Sequence, residues 1–184
     1  MSSVAEQKVA LRQILRQARI DRRPDTDEAA RLSEQLGQFC LDNKLRTVAA
    51  YFPITGEPDI REFLDWALKN GIKILLPVVA GEQLKWVHFD GSTEFGAMGF
   101  EEGTGKAAKL ESADAAFIPA MAVDFAGNRM GKGKGYYDRA LANSKLKTIA
   151  VVFDEEILME IPSEGHDQKV NAAISPSKLI WFNR

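Results

Sequence analysis

Three stretches of this 184-residue chain are almost entirely apolar: residues 47–52, 115–119 and 148–153. Short runs without polar alternation fit strands covered on both faces, as in parallel sheets. Segments with helical spacing lie between them, so strands and helices alternate along the chain. That alternation predicts an α/β fold, α/β/α in layers, with a mostly parallel central sheet and a mixed edge. The length suits one well-buried core, and a single domain over residues 1–184 is expected.

The first helix carries Leu11, Ile14, Leu15 and Ala18 as its apolar stripe, with Lys8 and Arg12 on another face. Residues 21–25, Pro24 among them, end it. Asp25, Thr26 or Asp27 is placed to cap the second helix, whose buried stripe is Ala29, Leu32, Leu36, Phe39 and Cys40. The strand at 47–52 gives way to a Pro- and Gly-containing loop at 53–59, then a helix at 60–69 that stops at Asn70-Gly71. A strand at 72–79 turns at 80–82 into a hairpin with 83–89. Glycines then multiply and periodicity is lost, so 90–110 reads as a long irregular excursion. After the strand at 115–119 come a helix at 136–143, a strand at 148–153, a short helix at 156–160, and closing strands at 169–174 and 179–182.

Composition excludes several classes. Acids outnumber bases by 26 to 24, so no global field draws nucleic acid or anionic lipid, and neither partner is expected. Cys40 is the only cysteine, which rules out an internal disulfide and a Cys-based zinc site. No signal-peptide core is visible, and no run approaches the roughly 18 apolar residues of a membrane span. A cytoplasmic chain is expected, a monomer by default with an oligomer left open.

Against that near-neutral background stands Asn128-Arg129-Met130-Gly131-Lys132-Gly133-Lys134-Gly135-Tyr136-Tyr137-Asp138-Arg139. Alternate glycines let a ligand approach the backbone, and successive N–H groups in such a bend form an anion-binding concavity that the cations reinforce. A helix N-terminus beyond it would attract the same charge. The segment reads as a polyphosphate cradle with an acid placed for a metal. It matches neither the Walker spacing nor the dinucleotide fingerprint. The plainer reading is a surface turn with solvated lysines, which the adjoining aromatic pair and ion pair disfavour.

Val123-Asp124, Gly127, Arg129 and the run from Gly131 to Asp138 resemble the signature of the 5-formyltetrahydrofolate cyclo-ligase family, whose activity is also called 5,10-methenyltetrahydrofolate synthetase. The resemblance extends to Lys8-Val9-Ala10-Leu11-Arg12, to the loop acids Glu57 and Asp59, to Ile118-Pro119 and to His166-Asp167. Gly103 after Glu102 departs from it, since relatives often carry proline there. The resemblance implies an ATP-dependent, Mg²⁺-requiring closure of 5-formyltetrahydrofolate, or its polyglutamates, to 5,10-methenyltetrahydrofolate. The formyl oxygen would be phosphorylated, N10 would attack, and ADP and phosphate would leave. Phosphoryl transfer asks mainly for positioning and charge stabilisation, so no protein nucleophile is needed.

By the same resemblance, Lys8, Arg12, Arg129, Met130, Gly131, Lys132, Gly133, Lys134, Gly135, Tyr136 and Tyr137 would hold ATP. Arg129, Lys132 and Lys134 would act on the reacting groups. Ile54, Glu57, Asp59 and the segment from Lys132 to Tyr136 would hold the folate, the carboxylates accepting the N–H donors of its pterin edge. Asp138 and Asp167 would be magnesium ligands, two carboxylates being enough beside phosphate oxygens and water. Each also has a plainer role open to it: an exposed helical face for Lys8 and Arg12, a salt bridge or cap for Asp138, solvated loop acids for Asp167, Glu57 and Asp59. His88 is read as structural, Trp66 and Trp181 as core, and Cys40 as an inert buried thiol. Two other functions remain in view: a small-molecule kinase with the same ATP loop, and an RNA-binding module suggested by Lys134-Gly135-Tyr136-Tyr137.

Overall fold

The computed structural model describes residues 2–23, 25–165 and 167–182. Pro24 and His166 lie outside the described residues. The elements follow in the order α1 (Val4–Asp21), α2 (Glu28–Asp42), β1 (Thr47–Ala49), α3 (Arg61–Lys69), β2 (Lys73–Ala80), β3 (Gln83–Phe89), β4 (Thr93–Phe95), β5 (Glu101–Gly103) and β6 (Ala107–Ala108). After these come β7 (Ala115–Pro119), β8 (Ala122–Asp124), β9 (Arg129–Met130), α4 (Tyr136–Leu141), β10 (Lys147–Val151), β11 (Ile157–Leu158), β12 (Ala172–Ile174) and β13 (Leu179–Trp181).

The expected α/β architecture is present. One sheet runs β13-β12-β10-β7-β1-β2-β3-β6. From β12 to β2 all neighbours are parallel, and β13, β3 and β6 add antiparallel edges. Successive residues of the central strands point to opposite faces, and both faces are apolar. Val48, Ile74, Leu76, Phe117, Ile149 and Ile174 face α2 and α3, meeting Leu32, Leu36, Phe39, Phe63 and Leu64. The other face offers Ala49, Ala116, Ala150 and Ala173, and these small side chains let short elements pack close: Leu141 of α4, Leu110 of a 3₁₀ turn and Phe182.

α1 corrects an expectation. It starts with a capping box, Ser3 Oγ accepting from Glu6 N and Glu6 Oε2 from Ser3 N. Leu15 of its apolar stripe is buried, but Ile14 is 65% exposed, whereas Lys8 is buried. The helix does not lie on the main sheet. It docks through Leu15 against Met121, Met130 and Ile161 of a second, three-stranded sheet, β11-β8-β9, and the segments beside it. Ion pairs complete that face: Arg19 Nε reaches Glu156 Oε1 at 2.5 Å and Arg19 Nη2 the carbonyl of Ala120 at 2.6 Å.

Three further expectations change. The stretch 90–110 is folded: β4 pairs with β5 and β6 with β3. Residues 156–160 form no helix; a 3₁₀ turn over Asp154–Glu156 leads into β11, which runs parallel to β8. Glu156 is consumed by Arg19 and by the Phe153 N–H, so its backbone turns sharply there. Trp181 is 48% exposed, lying beside Phe39 and under the Lys147 ammonium, not filling core.

Candidate active site

Strand order reverses between β1 and β7, because β2 follows β1 to one side whereas β7, β10 and β12 extend the sheet to the other. At such a switch point the loops leaving the carboxyl ends diverge and open a crevice. A cleft of ≈ 710 Å³ occupies that position, with Tyr51, Phe52 and Ile54 beyond β1 and Pro119, Ala120 and Met121 at the end of β7 and beyond it.

The glycine loop forms one wall. β8 and β9 make a hairpin that delivers Arg129 into the cleft, nearly buried. Arg129 Nη2 pairs with Asp138 Oδ1 at 2.7 Å, and Asp138 Oδ1 also faces the Gln168 N–H at 3.4 Å. Arg129 Nε is buried without a hydrogen-bond partner among the described residues. A buried cationic donor left unmade is costly, so this atom asks for an acceptor. Gly133 (φ 99°) and Gly135 (φ 67°) take left-handed backbone, which turns the chain into α4. α4 is only 6 residues long, so the side chains around the loop supply more of its positive field than the helix does.

α1 supports the loop from one side: Arg12 Nε donates to the Gly131 carbonyl at 3.0 Å, and Arg16 Nη2 to that of Lys132 at 3.4 Å. The β2–β3 hairpin supports it from the other. Tyr136 Oη donates to the Gly81 carbonyl at 3.3 Å, and Arg139 Nη2 joins the carbonyls of Glu82 (2.6 Å) and Lys134 (2.9 Å).

Carboxylates lie opposite. Glu57 is buried, with Oε2 accepting from Ile54 N at 3.1 Å and Oε1 paired with Lys132 Nζ at 2.8 Å across the cleft. Lys8 Nζ contacts Glu164 Oε2 at 2.7 Å and Asp167 Oδ2 at 2.6 Å. Burial disfavours the Lys8 ammonium, but the hydrogen bonds to Asp167 and Glu164 outweigh it and raise its pKa. Burial also pushes the Tyr137 phenol well up, with Glu57 adding, so it stays protonated. An apolar wall of Phe52, Pro77, Val79, Leu84, Met98 and Phe100 completes the enclosure.

The structure therefore brings together Lys8, Arg12, Ile54, Glu57, Arg129, Met130, Gly131, Lys132, Gly133, Lys134, Gly135, Tyr136, Tyr137, Asp138 and Asp167. Asp59 does not join them. It lies two residues before α3, accepting from Arg61 N and pairing with the Arg61 guanidinium at 2.8 Å. His88 is exposed on β3 and outside the cleft. Arg16, Glu164, Met98 and Phe100 also line it, and no expectation from sequence had pointed to them; Arg139, the last residue of the expected cradle, lines it too. Arg16 was legible, one helical turn beyond Arg12. Met98 and Phe100 were not, because their glycine-rich surroundings carry no period.

Fold and cleft define an α/β protein with a charged cleft, walled by a glycine loop, at the carboxyl edge of its sheet. Residues 4–176 match the model of the 5-formyltetrahydrofolate cyclo-ligase family. The chain is 36% identical over 182 residues to the 5-formyltetrahydrofolate cyclo-ligase of Mycolicibacterium smegmatis, covering 90% of this chain and 94% of the relative. It is 26% identical over 146 residues to the Escherichia coli protein of the same name, covering 73% and 80%. The solved 5,10-methenyltetrahydrofolate synthetase of Aquifex aeolicus superposes with a TM-score of 0.84 at 26% identity, over 96% of this chain and 93% of that one. The chain belongs to the 5-formyltetrahydrofolate cyclo-ligase family, whose members are ATP-dependent ligases.

Proposed function

We propose that this protein closes 5-formyltetrahydrofolate, or its polyglutamates, to 5,10-methenyltetrahydrofolate in an ATP- and Mg²⁺-dependent reaction. The observation that carries this reading is a cleft lined on one side by the glycine loop with Arg129, Lys132 and Lys134 and enclosed by an apolar wall. An N-formyl group is an amide, with a poorly electrophilic carbon and an oxygen that leaves badly. Phosphorylation of that oxygen makes it a leaving group; N10 then bonds to the formyl carbon, and the C–O bond breaks as phosphate departs. The nucleophiles are the formyl oxygen and N10, both from the folate. Consistently, the described residues lining the cleft include no Ser, Thr, Cys or His.

The geometry supports a role for each of these groups. The loop from Gly131 to Gly135 and the side chains of Arg129, Lys132 and Lys134 hold the triphosphate and the reacting formyl oxygen. Arg12 fixes the loop's shape through the Gly131 carbonyl. Glu57 and Ile54 receive the pterin edge, and folate entry exchanges the Lys132 partner of Glu57 for ring N–H donors, releasing the lysine toward phosphate. Among the described residues no group of three or more His, Cys, Asp and Glu is placed to hold a metal ion, so the protein alone builds no cage. That fits Mg²⁺, which takes one or two carboxylates and completes its shell with phosphate and water. Asp138 and Asp167 are the carboxylates offered, and bound Mg²⁺ would neutralise charge on the β- and γ-phosphates.

The test is optical. Protein, 5-formyltetrahydrofolate and Mg·ATP should generate the methenyl chromophore with stoichiometric free phosphate. Lys132→Ala should slow turnover by roughly two orders of magnitude, as expected for a lost charge-assisted contact made at the transition state. Absence of the chromophore from well-folded protein would defeat the proposal, and a stable phosphorylated product would mark a kinase instead.

A further inference from the structure

Among the buried acids that the mechanism leaves unused, Asp124 is the least exposed. Asp124, at the end of β8, is 1% exposed and meets only hydrogen-bond donors. Its Oδ1 accepts from the backbone N–H of Ala126 (2.9 Å) and of Asn128 (2.9 Å). Its Oδ2 accepts from Asn128 Nδ2 (2.8 Å) and, across the molecule, from the N–H of Ile161 (3.2 Å). The first three bonds shape the β8–β9 turn, and asparagine could make such a turn as well. The fourth requires a carboxylate. An amide at 124 would turn its NH₂ toward Ile161 N, a fixed backbone donor, whereas Asn128 can flip its own amide to present an acceptor.

Ile161, the partner in that fourth bond, opens the loop that bears Glu164 and Asp167, the acids holding Lys8. The far end of the loop returns to the same turn, Val170 N donating to the Gly127 carbonyl at 2.9 Å. One turn thus grips both ends of the loop and passes directly into β9, which carries Arg129. We propose that Asp124 is a positioning residue: it fixes the 161–170 loop, and with it Asp167 and Lys8, relative to the Arg129–Asp138 pair. This rests on the reading that Lys8, Arg129, Asp138 and Asp167 serve a magnesium–nucleotide complex. A carboxylate one layer behind the ligands would then govern nucleotide affinity without touching the nucleotide.

Two variants separate this from a merely structural role. Asp124→Asn loses the Ile161 bond outright, and the bond within the turn until the Asn128 amide flips to present its Oδ1. The double variant Asp124→Asn/Asn128→Asp restores the side-chain bond within the turn, because the new amide at 124 donates to the new carboxylate at 128, but it still opposes Ile161 N with a donor. The readouts are thermal stability, amide hydrogen exchange, and calorimetric affinity for Mg·AMP-PNP. Asp124→Asn should melt lower, exchange faster over 161–168 than over β10, and bind Mg·AMP-PNP about 10-fold more weakly or worse. The double variant should regain stability yet keep the fast exchange and weak binding.

Wild-type affinity in Asp124→Asn, or affinity that returns with stability in the double variant, overturns the proposal. Should Asp124→Asn fail to fold, the double variant decides alone. If wild-type protein takes up no nucleotide, the reading of the site fails, and unchanged exchange over 161–168 in the double variant then rejects the clamp separately.

Discussion

Arg129 sets the terms of the site at the scale of single residues. A guanidinium held almost wholly out of water, paired on one side by Asp138 and left with an unmade N–H on the other, gains from any acceptor that completes it, most from an anionic one. Cys40 shows the opposite logic, a group removed from chemistry by burial. Desolvation pushes its thiol up to about 12. The folded chain should therefore resist a thiol reagent such as DTNB at neutral pH and react fully once denatured. The sign of the linkage is fixed by the upward shift. The neutral thiol is favoured in the fold, so this group costs no stability below the ordinary thiol range and costs progressively more as pH rises from about 9 toward 12. Denaturant titrations across that range should show a decline that Cys40→Ala lessens; an identical alkaline slope in the variant would refute it.

Among the elements, the glycine loop is the most sharply specified. Gly135 sits at φ 67°, and a Cβ there would lie 2.7 Å from Arg139 Nη1, part of the guanidinium that joins the Glu82 and Lys134 carbonyls. Gly135→Ala should thus cost about 1–2 kcal/mol in backbone strain and displace Arg139, weakening nucleotide binding more than stability. Equal losses in both, by calorimetry and urea titration, would count against it. This loop was legible because its demands are local: alternate glycines, cations and an aromatic pair need no knowledge of the rest of the chain. The central strands were legible for a similar reason, since burial on both faces leaves an unbroken apolar run. β8 and β9 were not. They are three and two residues long, and the turn that joins them is held in part by donors at positions 161 and 170, which no local period records. The 90–110 hairpin escaped for want of period, and Asp59 misled because an acid before a helix reads alike whether it serves a ligand or the helix.

For the molecule as a whole, the instructive feature is that α1 is attached by charge as much as by apolar contact. Its Lys8, Arg12 and Arg19 reach Asp167, the Gly131 carbonyl and Glu156 in turn, which is why an apolar stripe misjudged its buried face. Arg19 and Glu156 are both buried at the side chain, so truncating one strands the other. Arg19→Ala should cost about 3–5 kcal/mol by urea titration, whereas Arg31→Ala, which breaks the exposed pair with Asp25, should change little. Similar small losses in both variants would show that burial does not set the worth of the α1 pair.

The tip of the β2–β3 hairpin has a consequence for anyone lengthening this chain. Exposed two-residue turns are ordinarily where insertions, epitope tags and permuted termini are best borne. Here the turn's own carbonyls, at Gly81 and Glu82, receive Tyr136 and Arg139 from the far side of the cleft. Extra residues at that tip would remove those acceptors, and a graft that looked harmless on the surface would be felt in the glycine loop.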